Sequence, residues 1–172
     1  MKLVIINGPS GIGKSTLAER LYKAMPLSLL LDIDAQRRLI SGYREHRKKS
    51  YELSFAFCFA ATRTYLEAGH DVIIDKIILD TGDKLDALER VGEECGATVY
   101  EFILNATKET VTQRAHERGF REGGLLTPKR VEEFWHSTQR LIPNRPRAVV
   151  IDAEKLNADE VYKKAAAIVL KH

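Results

Sequence analysis

Short apolar runs alternate with amphipathic stretches along the whole chain. Leu3-Val4-Ile5-Ile6 reads as a buried strand, and Leu17, Leu21 and Ala24 share one face of a helix that starts near Lys14 and stops at Met25-Pro26. Residues 28–34 (SLLLDID) form a second strand pattern, followed by a short helical pattern over 35–40. A polar, basic stretch covers 41–50. Residues 51–68 read as a long, mostly apolar helix closed by Gly69 at the C-cap position. Asp71 to Asp75 (DVIID) is a third strand, and 82–94 an amphipathic helix with Leu85, Leu88 and Val91 inward, broken by Gly96. Thr98 to Leu104 is a fourth strand and 108–117 a helix. Thr127-Pro128 places an N-cap before Pro at the first helical position, so Pro128 to Leu141 is predicted helical. A loop at 143–146, a fifth strand over 148–152 and a closing helix over 158–171, with Val161, Ala165, Ile168 and Val169 on its face, complete the chain.

Five short apolar strands alternating with helices predict a parallel sheet covered by helices on both faces and joined by right-handed crossovers. Ligands of such sheets sit at the C-terminal ends of the strands. Asn7, Asp34, Asp75 and Asn105 fall at or just past those ends. Between the first strand and the first helix, Gly8-Pro9-Ser10-Gly11-Ile12-Gly13-Lys14-Ser15 fits G-x-x-x-x-G-K-[ST], a phosphate-binding loop, with Thr16 next. Glycines let the backbone N–H groups close around phosphate oxygens, and the N-terminus of the following helix favours the anion. In this motif Lys14 reaches the β/γ-phosphates and the Ser15 hydroxyl binds Mg²⁺. Asp75 ends an apolar strand, the position from which a carboxylate helps hold Mg²⁺; it also reads as a strand-end carboxylate satisfied by backbone N–H groups. Lys76 directly after it departs from the plainest form of that motif, and is read as neutralising Asp75 or touching an anionic substrate.

Composition sets bounds. The 172 residues suffice for one domain with a full core, and 44% hydrophobic with 30% charged residues is ordinary for a globular protein. A net charge of +3 suits anionic ligands and is too mild to argue for nucleic acid alone. Cys58 and Cys95 show no metal-ligand spacing and read as buried fillers in a reducing, cytoplasmic setting. No segment has the length of a membrane span, and the first apolar run is too short for a signal peptide. His46, His70, His116 and His136 have no ligand-like spacing.

With these motifs the chain resembles the small P-loop kinases: shikimate kinase, gluconate kinase, chloramphenicol phosphotransferase and the kinase part of polynucleotide kinases. LLDIDAQRR, SGYR and DVIID are most similar to the chloramphenicol phosphotransferase and gluconate-kinase-like branch. The resemblance implies an α/β, three-layer fold with a five-stranded parallel sheet in the order 2-3-1-4-5, a single domain over 1–172, and a short lid over about 118–127. It also implies ATP, Mg²⁺ and transfer of the γ-phosphoryl group to a hydroxyl or phosphate of a small acceptor. By the same resemblance Asp34 is the general base, although a helix N-cap is its other reading. Asp32 is read as lying on the same side of the strand, assisting the metal or orienting a neighbour. Arg114 and Arg118, one helical turn apart, are expected to serve the nucleotide, with Arg118 and Arg121 stabilising the transferring phosphoryl from a lid hinged on Gly119, Gly123 and Gly124. The segment 152–156 borders the adenine by analogy.

The acceptor is expected near Arg37, Arg38, Arg44, Arg47, Lys48 and Lys49, with Asp34, Arg37, Arg44 and Asp75 as its binding residues. So many cations suit an anionic acceptor; an exposed basic face is the competing reading. Tyr43, Phe55, Phe57, Phe59 and Tyr65 are candidates for a pocket, most of them reading equally as core. The leading expectation is an ATP-dependent small-molecule kinase, monomeric or dimeric. Alternatives are a nucleoside or nucleotide kinase and a polynucleotide 5′-hydroxyl kinase, whose Asp-x-x-Arg form Asp34 to Arg37 matches, so that nucleic acid enters only as a substrate. A nucleotide-dependent switch or non-catalytic ATP-binding module is the alternative outside enzymes.

Overall fold

The computed structural model describes residues 1–78, 83–120 and 126–171. Its elements, in chain order, are β1 (Lys2–Asn7), α1 (Lys14–Ala24), β2 (Leu29–Asp32), α2 (Ile33–Arg38), α3 (Arg47–Glu67), β3 (Val72–Asp75), α4 (Asp83–Glu94), β4 (Thr98–Asn105), α5 (Lys108–Arg118), α6 (Pro128–Leu141), a 3₁₀ turn (Ile142–Asn144), β5 (Val149–Asp152) and α7 (Ala158–Val169). The sheet is parallel throughout and runs β2-β3-β1-β4-β5, the expected order.

Strand alternation splits the core in two. Val4 and Ile6 pack with Leu17, Leu21, Phe102, Val111 and Val161 under α1, α5 and α7. Leu3 and Ile5 face the other way, onto Leu31, Phe55, Leu66, Ile74, Leu85 and Leu88 beneath α3 and α4. The central strand β1 has apolar residues on both faces, so it reads as a continuous hydrophobic run. β5 departs from that expectation. It is the sheet edge, and Val149 and Val150 are exposed while Ile151 is buried.

The element limits differ from the expected ones where side chains decide them. β2 ends at Asp32, not Asp34, because the Asp32 carboxylate accepts from the Ala35 N–H at 3.0 Å and caps α2. The cap is therefore Asp32, and Asp34 lies within the first turn of the helix, so strand alternation does not place the two on one side. The long helix α3 begins at Arg47 instead of residue 51. Ser50 anchors that first turn, its hydroxyl bonding to the Tyr43 and Arg47 carbonyls. On α1, Ala24 is exposed and Met25 fills the core position; on α7, Ile168 is 37% exposed. On α4, Val91 is only half-buried and Gly92 is buried. A Cβ at Gly92 would come within 2.6 Å of Val99 Cγ2, so glycine in mid-helix lets α4 lie close on the sheet.

One ion network braces the side away from the loop. Buried Arg145 binds Glu101 of β4 at 2.8 Å and Glu89 of α4 at 2.9 Å, and also contacts Asp86. Burial pushes the Glu101 carboxyl above its ordinary range even with the guanidinium beside it. Arg145→Ala strands that carboxylate and should cost about 3–5 kcal/mol at neutral pH. A carboxyl raised in the folded state binds its proton more tightly there than in the unfolded chain, so its contribution is retained at low pH and lost as pH rises through the raised value. The melting deficit of the variant should accordingly be smaller at pH 5 than at pH 7.5. Equal deficits in thermal melts at both values would show that Glu101 is not the stranded group.

Candidate active site

The loop between β1 and α1 is held from three sides. Asn7 is fully buried; its side-chain oxygen accepts from the Gly8 and Ile78 N–H groups at 2.8 and 3.0 Å, and its amide donates to the Ile78 carbonyl. This clamps the start of the loop to the segment after β3. Gly8 has φ +134°, and a Cβ there would collide with the Leu104 carbonyl oxygen of β4. Its requirement is packing against the sheet, not room for a phosphate alone. Gly13, at φ +104°, turns the chain into α1 and faces open space. The first turn of α1 carries no acidic residue, so its N–H groups and dipole remain for an anion.

Lys14 is buried and folds back over the loop, donating to the Pro9 carbonyl at 2.9 Å. Burial pushes its ammonium down to about 8, and the positive charges of Lys76 and Arg118 act in the same direction; Asp75 and Asp34 partly offset them. The structure thus brings Lys14, Asp34, Asp75, Lys76 and Arg118 into one electrostatic neighbourhood. β2 and β3 pair Asp32 directly with Asp75 at the sheet's C-terminal edge. Asp75 is buried, and desolvation raises its carboxyl, against which Lys14 and a hydrogen bond from the Ser15 hydroxyl work. Asp34, half-exposed, forms a short ion pair through Oδ1 with the ammonium of buried Lys76.

Ser15 and Asp75 make an oxygen-only donor pair at the mouth of the loop. That set fits Mg²⁺, which takes one or two protein oxygens and fills its shell with waters and substrate phosphates. No group of three or more His, Cys, Asp or Glu able to hold a metal exists among the described residues, so the fit depends on phosphate oxygens completing the shell.

Arg114 on α5 donates to the Ala153 carbonyl at 3.0 Å. With it, Gly11, Ile12, Gly13, Thr16, Leu17, Leu156, Asn157, Ala158 and Val161 line a cleft of about 230 Å³. This cleft opens beside the loop and lies against the segment after β5, where an adenine is expected. Leu156 and Val161 supply its apolar wall. Arg118 ends α5, ahead of Gly119 at φ +77°. The lid residues Arg121, Gly123 and Gly124 lie outside the described residues. Arg118→Ala should lower kcat by about 10²-fold while leaving the ATP dissociation constant within about threefold, as loss of a transition-state charge contact would. Matched kinetics and calorimetry would detect the reverse pattern, which places Arg118 on ground-state nucleotide.

The basic acceptor region is partly committed to its own scaffold. Arg37 donates to the Ser50 hydroxyl at 3.0 Å and to the Arg47 carbonyl at 2.6 Å, tying α2 to α3. Arg44 stacks on and bonds to neighbouring Tyr43. Phe55 is core and Phe57 is 51% exposed. Asn7 and Tyr51 are the residues whose roles the sequence did not assign, and Lys76, expected to neutralise Asp75 or touch an anionic substrate, pairs with Asp34. An Asn directly before the first loop glycine is the signal that could have found the clamp, whereas nothing local announces Tyr51.

A parallel sheet in this order, with a phosphate loop at the C-terminal end of its central strand and a carboxylate on the neighbouring one, defines a P-loop phosphotransferase. The chain belongs to the AAA domain family AAA_33, whose pattern it matches over residues 3–140. Over 53 residues it is 43% identical to the guanylate kinase of Porphyromonas gingivalis, a stretch spanning 31% of this chain and 28% of that relative's length. Among solved structures it is similar to the Deinococcus radiodurans tunicamycin resistance protein, with 25% identity, 98% of this chain and 95% of that chain covered, and a TM-score of 0.63. It also shares its fold with a gluconokinase from Sinorhizobium meliloti 1021, with 18% identity, 96% and 90% coverage and a TM-score of 0.64. No helix among the described residues is long and apolar enough to cross a membrane.

Proposed function

We propose that this protein is an ATP- and Mg²⁺-dependent kinase that transfers the γ-phosphoryl group to a hydroxyl of a small anionic acceptor. The observation that carries the reading is the Asp34 carboxylate, half-exposed and close enough to Lys14 to act on its charge. A hydroxyl acceptor loses its proton as the phosphoryl arrives, and a carboxylate at the loop's mouth can take it. In this reading Lys14 holds the β/γ-phosphates, and backbone N–H groups of residues 10–16 surround them. Ser15 and Asp75 hold Mg²⁺, which when bound neutralises charge on the phosphates. Arg118 balances charge on the transferring group. Arg114 and the segment after β5 border the base.

The cations around the acceptor face support an anionic acceptor. The Lys84 ammonium lies 5.0 Å from the centre of the Tyr51 ring and the Arg37 guanidinium 5.9 Å. A sugar acid, as the gluconokinase's name suggests for that protein, satisfies both requirements. The guanylate kinase stretch favours a second reading, a nucleotide acceptor, which also brings an anion. For a polynucleotide 5′-hydroxyl kinase, Arg37 would have to reach a strand phosphate, and its two bonds to Ser50 and Arg47 weigh against that. Two free cysteines, one buried and one half-buried, support a reducing, cytoplasmic setting.

The test is ADP release from Mg²⁺-ATP in the presence of separate pools of sugar acids, nucleotides, nucleosides, tunicamycin and 5′-hydroxyl oligonucleotides. Stimulation by sugar acids or nucleotides is expected. Stimulation by tunicamycin or oligonucleotides alone would overturn the small anionic acceptor.

A further inference from the structure

Lys76 poses a problem that the loop chemistry does not answer. Its side chain is 7% exposed, and charged residues are rarely buried so far without full pairing. Among the described residues its ammonium makes one hydrogen bond, to Asp34 Oδ1, and it sits near the face of the Tyr51 ring. The cation is thus spent on a carboxylate that is itself half-exposed and could be solvated without it. It follows Asp75 directly, and its own N–H bonds to the Ile6 carbonyl of β1 at 3.3 Å, so its backbone is fixed to the strand that leads into the loop. Asp34, by contrast, stands on the six-residue helix α2. The ion pair is the only side-chain link that Asp34 makes among the described residues, and it ties that carboxylate to the rigid centre of the sheet.

We propose that Lys76 is a positioning residue for phosphoryl transfer, holding the Asp34 carboxylate by Oδ1 so that Oδ2 is presented to the attacking hydroxyl. The proposal rests on the reading of Asp34 as the base. The attacking oxygen forms a bond to the γ-phosphorus, the bond from that phosphorus to the β,γ-bridging oxygen breaks, and ADP leaves with the electron pair. The proton of the attacking O–H passes to Asp34 Oδ2. Lys76 touches neither nucleotide nor acceptor. The Tyr51 ring lies 5.8 Å from the ammonium.

Water can serve as the attacking group, so the test needs no identified acceptor. Phosphate release from Mg²⁺-ATP would be measured in single-turnover reactions for the wild type, Lys76→Met, Lys76→Arg, Asp34→Asn and the Lys76→Met/Asp34→Asn double variant, with ATP affinity by calorimetry. Lys76→Met should lower the rate about 10-fold or more, as displacement of a reacting group by a fraction of an ångström does, with ATP affinity within about twofold. Lys76→Arg should recover most of the rate. In the Asp34→Asn background, Lys76→Met should have no further effect. A wild-type rate in Lys76→Met, or the same fold-loss with and without Asp34, would overturn the positioning role. Should Lys76→Met fail to fold, Lys76→Gln takes its place, and a rate loss confined to the unfolded fraction would likewise overturn it. An Asp34→Asn variant with full rate is a separate failure, that of the base reading itself.

Discussion

Lys14→Ala should abolish turnover, by at least about 10³-fold, while leaving the fold intact. Lys14 is the one cationic side chain of the loop, in the proposed reading it meets the phosphates, and phosphoryl transfer is accelerated chiefly by stabilising the developing charge in a water-poor site. The variant should melt close to the wild type, because relief of a buried ammonium is opposed by loss of the charge that faces buried Asp75. The ammonium is buried, makes one bond among the described residues, to the Pro9 carbonyl, and is pushed down to about 8 by desolvation. Its removal therefore relieves an unfavourable burial. Preserved turnover in a folded Lys14→Ala protein would remove the loop from the mechanism altogether. A large fall in melting temperature would instead show that the Pro9 contact is needed to hold the loop.

Asp34→Asn should lower kcat by about 10²-fold or more while ATP still binds. The substitution keeps size and shape but cannot accept the proton, and it exchanges an ion pair with Lys76 for a neutral contact. The structure removes one alternative for this residue. The helix cap that Asp34 could have been is Asp32, whose carboxylate meets the Ala35 N–H. Asp32→Asn therefore serves as the comparison: it should affect stability through α2 and leave kcat within about threefold. Full activity in Asp34→Asn together with a large loss in Asp32→Asn would transfer the base to Asp32, whose strand partner is Asp75.

Much of this protein was legible from the chain alone, for reasons that can be stated. The phosphate loop has a fixed spacing because its backbone geometry is fixed. The apolar runs at 3–6, 72–74 and 102–104 are continuous because those strands are buried on both faces. Thr127-Pro128 announced α6 because a cap and a first-turn proline act within four residues. What failed were limits and faces that depend on contacts distant in sequence. Ser50, Tyr43 and Arg37 together start α3 four residues early, and an edge position exposes β5 although its residues are as apolar as those of a central strand.

The order of elements and the loop were determined by the sequence itself, since each rests on interactions within a few residues or on a period of side-chain burial. Only the tertiary structure decided that Lys76 meets Asp34 across 42 positions, that Arg37 serves α3, and that Gly8 is required by the Leu104 carbonyl. Those are meetings of side chains and backbone brought together by parallel strand pairing, and no local pattern encodes them.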